Sequence, residues 1–101
     1  MIRLKGQHLG QSVPTKQLIN ICRDFFENRL SAVSFVEAFD QAFHENEETL
    51  PEPAYSVFDA IAVLNDLFEP NNAIRSEDEN LLNEDTLKSE VTKRIHRLTA
   101  K

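Results

Sequence analysis

Glycine is scarce in this sequence of 101 residues, which contains only Gly6 and Gly10. Loops that cradle phosphates or bind dinucleotides need several glycines at fixed spacings, so such loops are hard to build from this chain. Gly6 and Gly10 have the GxxxG spacing, but they stand among polar and basic residues, and that motif promotes packing only within an apolar membrane helix. The sequence therefore predicts no nucleotide-binding loop.

The usual ligands of transition metals are also few, with one cysteine and three histidines. Cys22 cannot form an intrachain disulfide and stands at helical spacing among apolar residues, so we expect a small buried side chain and not a reactive thiol. The histidines lie far apart and show no paired metal-ligand spacing. The run from Asp78 to Asn80 resembles the start of a calcium loop, but Leu82 stands where an oxygen ligand is required. We expect no metal and no cofactor.

Sequence motifs of nucleophilic catalysis are missing as well. No serine or cysteine lies in a pattern that resembles a nucleophile elbow, and no histidine accompanies one as a base. We therefore predict that the protein has no catalytic residues and acts by binding, not as an enzyme.

Long apolar runs are absent too, and a membrane helix needs roughly 18 to 20 predominantly apolar residues. The stretch from Met1 to Gly10 alternates apolar with basic or polar residues, unlike the apolar region of a signal peptide. We expect a cytoplasmic protein. The composition of 41% hydrophobic residues with seven phenylalanines and 28% charged residues is typical of a globular domain.

The charge of the chain is distributed unevenly around its total of −6. Residues 1–43 carry a net charge of +1, residues 44–90 carry −11 and residues 91–101 carry +4. A block this acidic repels nucleic acid and anionic lipid and favours a cationic partner. The alternative interpretation is a solvated acidic surface that only keeps the protein soluble. Charge alone leaves both interpretations open.

Hydrophobic periodicity predicts four helices, and Pro14 suits the first turn of the first one. The predicted helices span about residues 14–29, 32–45, 53–69 and 84–99. The third is apolar on most of its circumference, so we expect it to pack on several sides and to be the central helix.

Local signals mark two of the helix starts. Ser31 and Asn83 each follow a leucine and precede a second apolar residue by four positions, which is the spacing of an N-cap with a hydrophobic staple. Residues 70–83 indicate a polar loop with a short turn around Leu81 and Leu82.

Four helices with short connections and no strand pattern predict an all-α fold, a compact antiparallel four-helix bundle. Its single domain covers residues 14–101. Residues 1–13 contain both glycines and show no helical period, so they are expected to form a loose N-terminal segment.

Acidic residues form a row on the third predicted helix. Asp59 and Asp66 are seven residues apart and thus about 20° apart around the helix axis, and Glu69 follows close to one turn later. The bland interpretation is a helix face in water. The functional interpretation is a contiguous anionic surface that imitates nucleic acid phosphates and enters a basic cleft. The candidate set comprises Asp59, Asp66 and Glu69, the loop residues Glu77, Asp78 and Glu79, and the helix-start residues Glu84 and Asp85.

Two parts of this candidate set have simpler explanations. Glu84 and Asp85 stand in the first turn of the last predicted helix, where the helix dipole favours negative charge. Tyr55 is the candidate apolar anchor of the interface, but an aromatic residue at a helix start also packs readily into a core.

Three segments, in their order along the chain, resemble the colicin D immunity protein family, also called bacterial self-protective colicin-like immunity. They are RLSAVSFVEAFDQAF at 29–43, LPEPAYSVFDAIAVLNDLF at 50–68 and NEDTLKSEVTKRIHRL at 83–98. In that family a capped helix with paired phenylalanines precedes a Leu-Pro start, a helix that ends in Asp-Leu-Phe, an acidic loop and a final helix that opens with acidic residues. The likeness covers about residues 18–98. After Phe68 the chain departs from the pattern, which continues with aspartate and an aromatic residue.

The resemblance implies a four-helix bundle that binds the C-terminal toxin domain of a colicin or contact-dependent inhibition protein, typically a tRNA-cleaving nuclease, and blocks its active site. Acidic side chains would take the place of the tRNA backbone. The implied partner is a basic nuclease domain, not nucleic acid or a membrane. The alternative from a different class is a helical adaptor or structural interaction protein with a solubilising acidic face.

Overall fold

The computed structural model of the chain describes residues 13–99, and the fold of this range is all-helical, as predicted, with no strand among the described residues. Of the expected loose segment, residues 1–13, only Val13 lies within the described range, and it belongs to the first helix. No helix between residues 13 and 99 combines the length and the apolar character needed to cross a bilayer. The helices are α1 (Val13–Phe26), α2 (Ala32–Asn46), α3 (Ala54–Leu67), α4 (Asn72–Arg75) and α5 (Glu84–Thr99).

A left-handed residue ends α1 three positions before the predicted end. Asn28 has a φ of 66°, and asparagine tolerates this conformation better than most residues with a side chain. Its N–H donates to the carbonyl of Phe25 (3.1 Å), and the N–H of Arg29 donates to the carbonyl of Asp24 (2.8 Å). These two bonds form a Schellman motif, and an Arg29–Asp24 ion pair of 2.7 Å reinforces it. The apolar periodicity of the sequence could not predict this helix end.

The two predicted N-caps are confirmed. The Oγ atom of Ser31 accepts a hydrogen bond from the N–H of Ser34 at 3.1 Å, at the start of α2. The Oδ1 atom of Asn83 accepts one from the N–H of Thr86 at 2.8 Å, at the start of α5. Each bond satisfies a backbone donor that has no partner within the helix. These starts were predictable because capping involves only neighbouring residues.

Phenylalanines from three helices form the centre of the core. Phe25 of α1 stacks on Phe35 of α2, with 4.3 Å between the ring centroids. Phe39 lies 5.5 Å from Phe35 and 5.9 Å from Phe58 of α3. All four rings are fully buried. Other buried apolar residues of this core include Leu18 and Cys22 of α1, Ile61 of α3, and Leu87, Val91 and Ile95 of α5.

The central positions belong to α2 and α5, each of which packs against the three other long helices. The expectation that the third predicted helix is central is wrong, because α3 packs mainly against α2 and α5. Its remaining face lacks a covering helix in the described range, so Val63 stays 55% exposed and Leu64 is only partly buried. An apolar circumference indicates that a helix can be covered on all sides, but the neighbours decide whether it is.

Backbone hydrogen bonds close the base of the segment between α3 and α5. The N–H of Leu82 donates to the carbonyl of Leu67 at 2.8 Å, and the N–H of Glu69 donates to the carbonyl of Leu82 at 2.9 Å. Phe68 and Leu82 thereby form an isolated parallel bridge. The turn predicted around Leu81 and Leu82 is present in part. The N–H of Leu81 donates to the carbonyl of Asp78, whereas Leu82 belongs to the bridge. This closure brings the end of α3 beside the start of α5.

The loop above this base contains α4, which the sequence pattern did not predict. The Oδ1 atom of Asn71 accepts hydrogen bonds from the N–H groups of Ala73 (2.8 Å) and Ile74 (3.3 Å). Asparagine commonly bonds to the backbone two residues ahead in this way. A helix of four residues is too short to show an apolar period, so only its cap could have indicated it.

Candidate functional site

The exposed face of α3 carries Asp59 and Asp66, as predicted. Neither carboxylate forms an ion pair or a hydrogen bond with any residue between 13 and 99. Val63 stands between them, one helical turn from each, and is the apolar residue whose exposure the sequence pattern missed. Asp59, Val63 and Asp66 together are called the α3 ridge. An exposed valine flanked by unpaired acids suits an interface with a cationic protein.

Glu69 does not belong to the α3 ridge. The helix ends at Leu67, and Phe68 is extended with φ −71° and ψ 128°, so Glu69 lies outside the helix. Its Oε2 atom accepts a hydrogen bond from the N–H of Asn71 at 3.0 Å. Its carbonyl accepts one from the guanidinium of Arg75 at 2.6 Å. The prediction that Glu69 continues the row is therefore wrong, because α3 is shorter than expected, and the residue instead shapes the start of the loop.

The three loop acids, Glu77, Asp78 and Glu79, are all exposed. Asp78 has a local structural role, because its Oδ1 atom accepts a hydrogen bond from the N–H of Asn80 at 2.9 Å and its carbonyl accepts one from Leu81 at 3.1 Å. The carboxylates of Glu77 and Glu79 have no such partner among the described residues. These two side chains can meet a binding partner without breaking an internal contact.

Glu84 and Asp85 line an open cleft of about 490 Å³ between the loop and the start of α5. The other lining residues are Phe68, Pro70, Arg75 and Asn83. Arg75 pairs with neither carboxylate, since its guanidinium donates to the Glu69 carbonyl and, at 3.0 Å, to Oδ1 of Asn72. The cleft therefore combines two acids at a helix N-terminus with an apolar wall and a guanidinium that the loop holds in place.

Lysine and arginine form their ion pairs elsewhere on the described part of the chain. These pairs are Arg29 with Asp24 and Glu27, and Lys93 and Arg94 with Glu90. Within residues 13–99 none of the eight predicted acids takes part in an ion pair. Neighbouring opposite charges cancel at a distance, whereas unpaired acids keep their potential. The predicted acids therefore keep their negative potential, as do Glu37, Asp40, Glu45, Glu48 and Glu52, which also form no ion pair in this range.

Tyr55, the predicted apolar anchor, contacts the core. The residue is partly buried, and its ring centroid lies 5.7 Å from that of Phe43. This position favours the core-packing interpretation of Tyr55.

Asp40 is a residue near the α3 ridge that the sequence did not single out. It lies on α2, is partly buried, and its Oδ1 atom accepts a hydrogen bond from Nδ2 of Asn65 at 2.9 Å. Burial raises the pKa of the Asp40 carboxyl; the hydrogen bond from Asn65 opposes this shift, and the negative charge of Asp66 adds to it. No sequence signal could have found this pair, because its members are 25 residues apart and meet only through helix packing.

The expected burial of Cys22 is confirmed. The side chain is fully buried, and burial raises the pKa of its thiol. Among the residues from 13 to 99, no three His, Cys, Asp or Glu side chains are grouped in a way that could hold a metal ion.

Comparison with known proteins adds one finding to this geometry. Residues 13–98 match the family described as bacterial self-protective colicin-like immunity. No curated protein and no solved structure gave a match. The family match covers α1 to α5 almost completely, including the α3 ridge, the loop and the cleft. The chain therefore belongs to the colicin-like immunity family.

Proposed function

We propose that the protein is an immunity protein that binds the toxin domain of a colicin or contact-dependent inhibition protein and blocks its active site. Membership of the colicin-like immunity family over residues 13–98 is the observation that carries this proposal. The proposed partner is a basic nuclease domain that cleaves tRNA, and the proposed compartment is the cytoplasm. The protein acts by binding and needs neither a cofactor nor a metal.

The proposed binding surface is the acidic side of the molecule: the α3 ridge, the exposed carboxylates of Glu77 and Glu79, and the cleft acids Glu84 and Asp85. Its support is the position of these acids on an exposed face of α3, on the adjoining loop and in the cleft, where none of them forms an ion pair within the described range. A nuclease cleft that binds a phosphate backbone is lined with lysine and arginine. Unpaired carboxylates attract the same side chains and exclude the nucleic acid.

We also propose that the four long helices form an antiparallel bundle. The contacts of α1 with α2 and of α3 with α5 support it. Five residues, 27–31, separate α1 from α2, and such a short connection favours neighbours that run in opposite directions. This arrangement presents the ridge on one side of the core.

The test begins with a search beside the gene for this chain for a large secreted protein with a basic, nuclease-like C-terminal domain, which is then expressed as the candidate toxin. Co-expression should rescue cells from that domain, and the purified proteins should bind with a dissociation constant that rises with salt. The chain alone should neither bind nor cleave tRNA, since an acidic surface releases no counterions from phosphates.

Two double variants separate the parts of the surface: Asp59→Asn with Asp66→Asn on the ridge, and Glu84→Gln with Asp85→Asn in the cleft. A matched control, Glu37→Gln with Glu48→Gln, changes the charge equally at exposed acids without described partners. Truncating an acid buried against a cation costs about 2 to 5 kcal/mol. A double variant of contacting acids should thus raise the dissociation constant by about a thousandfold or more.

Circular dichroism should show that all three variants remain folded, because the replaced side chains are exposed. If the ridge and cleft variants bind as tightly as the control, the phosphate-mimic mechanism is wrong and an apolar docking mode replaces it. If the wild-type chain neither binds nor protects, the adaptor hypothesis becomes the better one.

A further inference from the structure

Three acceptor groups meet where α2 packs against the end of α3. The Asn65 side chain is only 4% exposed, and its Nδ2 atom donates to Oδ1 of Asp40. Asp66 is the next residue along α3, and its charge acts on the Asp40 carboxyl. We call Asp40, Asn65 and Asp66 the acceptor cluster. A hydrogen bond joins the Asp40 carboxylate to the buried Asn65 amide across two helices, and the Asp66 carboxylate lies near enough for its charge to act on Asp40.

Hydrogen-bond donors are too few in this cluster. The buried Oδ1 atom of Asn65 accepts no hydrogen bond from the described residues. Buried polar atoms without a partner are uncommon in folded proteins and need a specific explanation. Neither carboxylate has a lysine or arginine within ion-pair distance among residues 13–99. The cluster therefore combines two carboxyl groups with a buried amide oxygen, and the described residues supply it with a single donor, Nδ2 of Asn65.

A purely structural role does not account for the charge on Asp40. An asparagine at this position could accept the same hydrogen bond from Asn65 without a charge that burial and Asp66 both oppose. Side chains whose ionisation is opposed by their surroundings concentrate at functional sites. The Asp40 carboxylate thus points to a ligand that supplies positive charge and N–H donors.

We propose that the acceptor cluster of Asp40, Asn65 and Asp66 is the receptor for one arginine side chain of the toxin domain. This inference rests on the proposed function and adds to it a specific anchoring point, in which Asp40 and Asn65 join Asp66, one of the acids that the sequence singled out. A guanidinium carries five N–H donors in a planar fork, which suits two carboxylates presented from neighbouring helices. Lysine offers a point charge and matches this geometry less well.

The first experiment uses the chain without any toxin. Isotope-labelled protein is titrated with N-acetyl-arginine amide, and the side-chain amide signals of Asn65 and the carboxyl signals of Asp40 and Asp66 are followed by nuclear magnetic resonance. N-acetyl-glutamine amide is the uncharged control probe. We expect the arginine probe to shift the cluster signals most and the glutamine probe to leave them unchanged. Equal shifts from both probes, or saturable shifts from Mg²⁺ or Ca²⁺ alone, would overturn the proposal.

The second experiment measures binding to the candidate toxin domain of the proposed function. Asp40→Asn keeps an acceptor for Asn65 and removes only the charge, while Glu48→Gln makes the same charge change at an exposed acid with no described partner. Asp40→Asn should raise the dissociation constant by about thirtyfold or more, since it truncates one side of a desolvated charge pair. The control should change it by less than about threefold, as for a distant surface charge.

A double variant tests whether one ligand bridges the cluster. If one guanidinium contacts both carboxylates, the effects of Asp40→Asn and Asp66→Asn on binding should not be additive. If the wild-type chain binds and protects but Asp40→Asn matches Glu48→Gln, the cluster proposal fails while the proposed function stands. If the wild type does not bind the toxin domain, both fail.

Discussion

Replacement of Phe39 by alanine is expected to lower the free energy of unfolding by about 3 to 5 kcal/mol, as for other fully buried phenylalanines. The ring is fully buried, and its centroid lies 5.5 Å from Phe35, 6.1 Å from Phe43 and 5.9 Å from Phe58. Each favourable aromatic pair adds about 0.5 to 1.5 kcal/mol beyond the burial of its area. Three such contacts place the expected loss in the upper half of the range.

This loss is large compared with the stability of a small domain. The total free energy of unfolding of such domains is about 5 to 15 kcal/mol. One kcal/mol shifts the thermal midpoint of a domain of this size by about 4 to 8 °C. The midpoint of Phe39→Ala, measured by far-ultraviolet circular dichroism, should therefore fall by at least about 12 °C, taking the low end of both ranges.

The matched control is Phe26→Ala, which deletes the same atoms from a partly buried ring on α1. It should cost less than half as much, because less apolar area leaves water when this ring folds against the core. A midpoint of Phe39→Ala within about 3 °C of wild type, which corresponds to less than 1 kcal/mol, would refute the placement of Phe39 at the centre of the core. Equal losses for the two variants would refute it as well.

Three further predictions concern single residues. Because the pKa of Asp40 is raised, the folded protein binds a proton at this carboxyl more readily than the unfolded chain does. The contribution of Asp40 to the free energy of unfolding therefore falls as pH rises from the ordinary aspartate pKa through the raised one. Urea titrations across pH should show this fall in wild type and not in Asp40→Asn, and an identical fall in both would contradict it. Cys22 should react with a thiol reagent only as fast as the protein unfolds, and rapid modification of native protein would show that it is accessible. Asn28→Ala should cost about 1 kcal/mol in urea unfolding and Asn28→Gly less, because alanine disfavours the left-handed conformation, whereas equal costs would argue against that conformation.

Local signals accounted for what could be predicted about the helices. Ser31 and Asn83 marked the starts of α2 and α5 because a cap and its staple lie within five residues. The end of α1 was missed because a single residue, Asn28, turns left-handed there. The helix α4 was missed because four residues show no period. Periodicity therefore located the long helices but not the details between them.

The candidate surface was predicted in part. Asp59 and Asp66 share an exposed face because seven residues make nearly two helical turns, which is a property of any helix. Glu69 was misplaced because the helix ends before it, at a bridge with Leu82 that joins residues 14 positions apart. The Asp40–Asn65 hydrogen bond joins residues 25 positions apart, so the local sequence pattern could not predict it.

The sequence by itself determined the all-helical class, the approximate spans of four long helices, and the concentration of negative charge in residues 44–90. Periodicity and caps depend on residues close together in the sequence, and composition depends on no contact at all, so all three can be determined without coordinates. Only the tertiary structure decided that α2 and α5 are central, that Val63 is exposed, and that Asp40 meets Asn65 beside Asp66. These features depend on how helices distant in sequence pack against each other. The sequence of one helix does not specify which other helices will cover it.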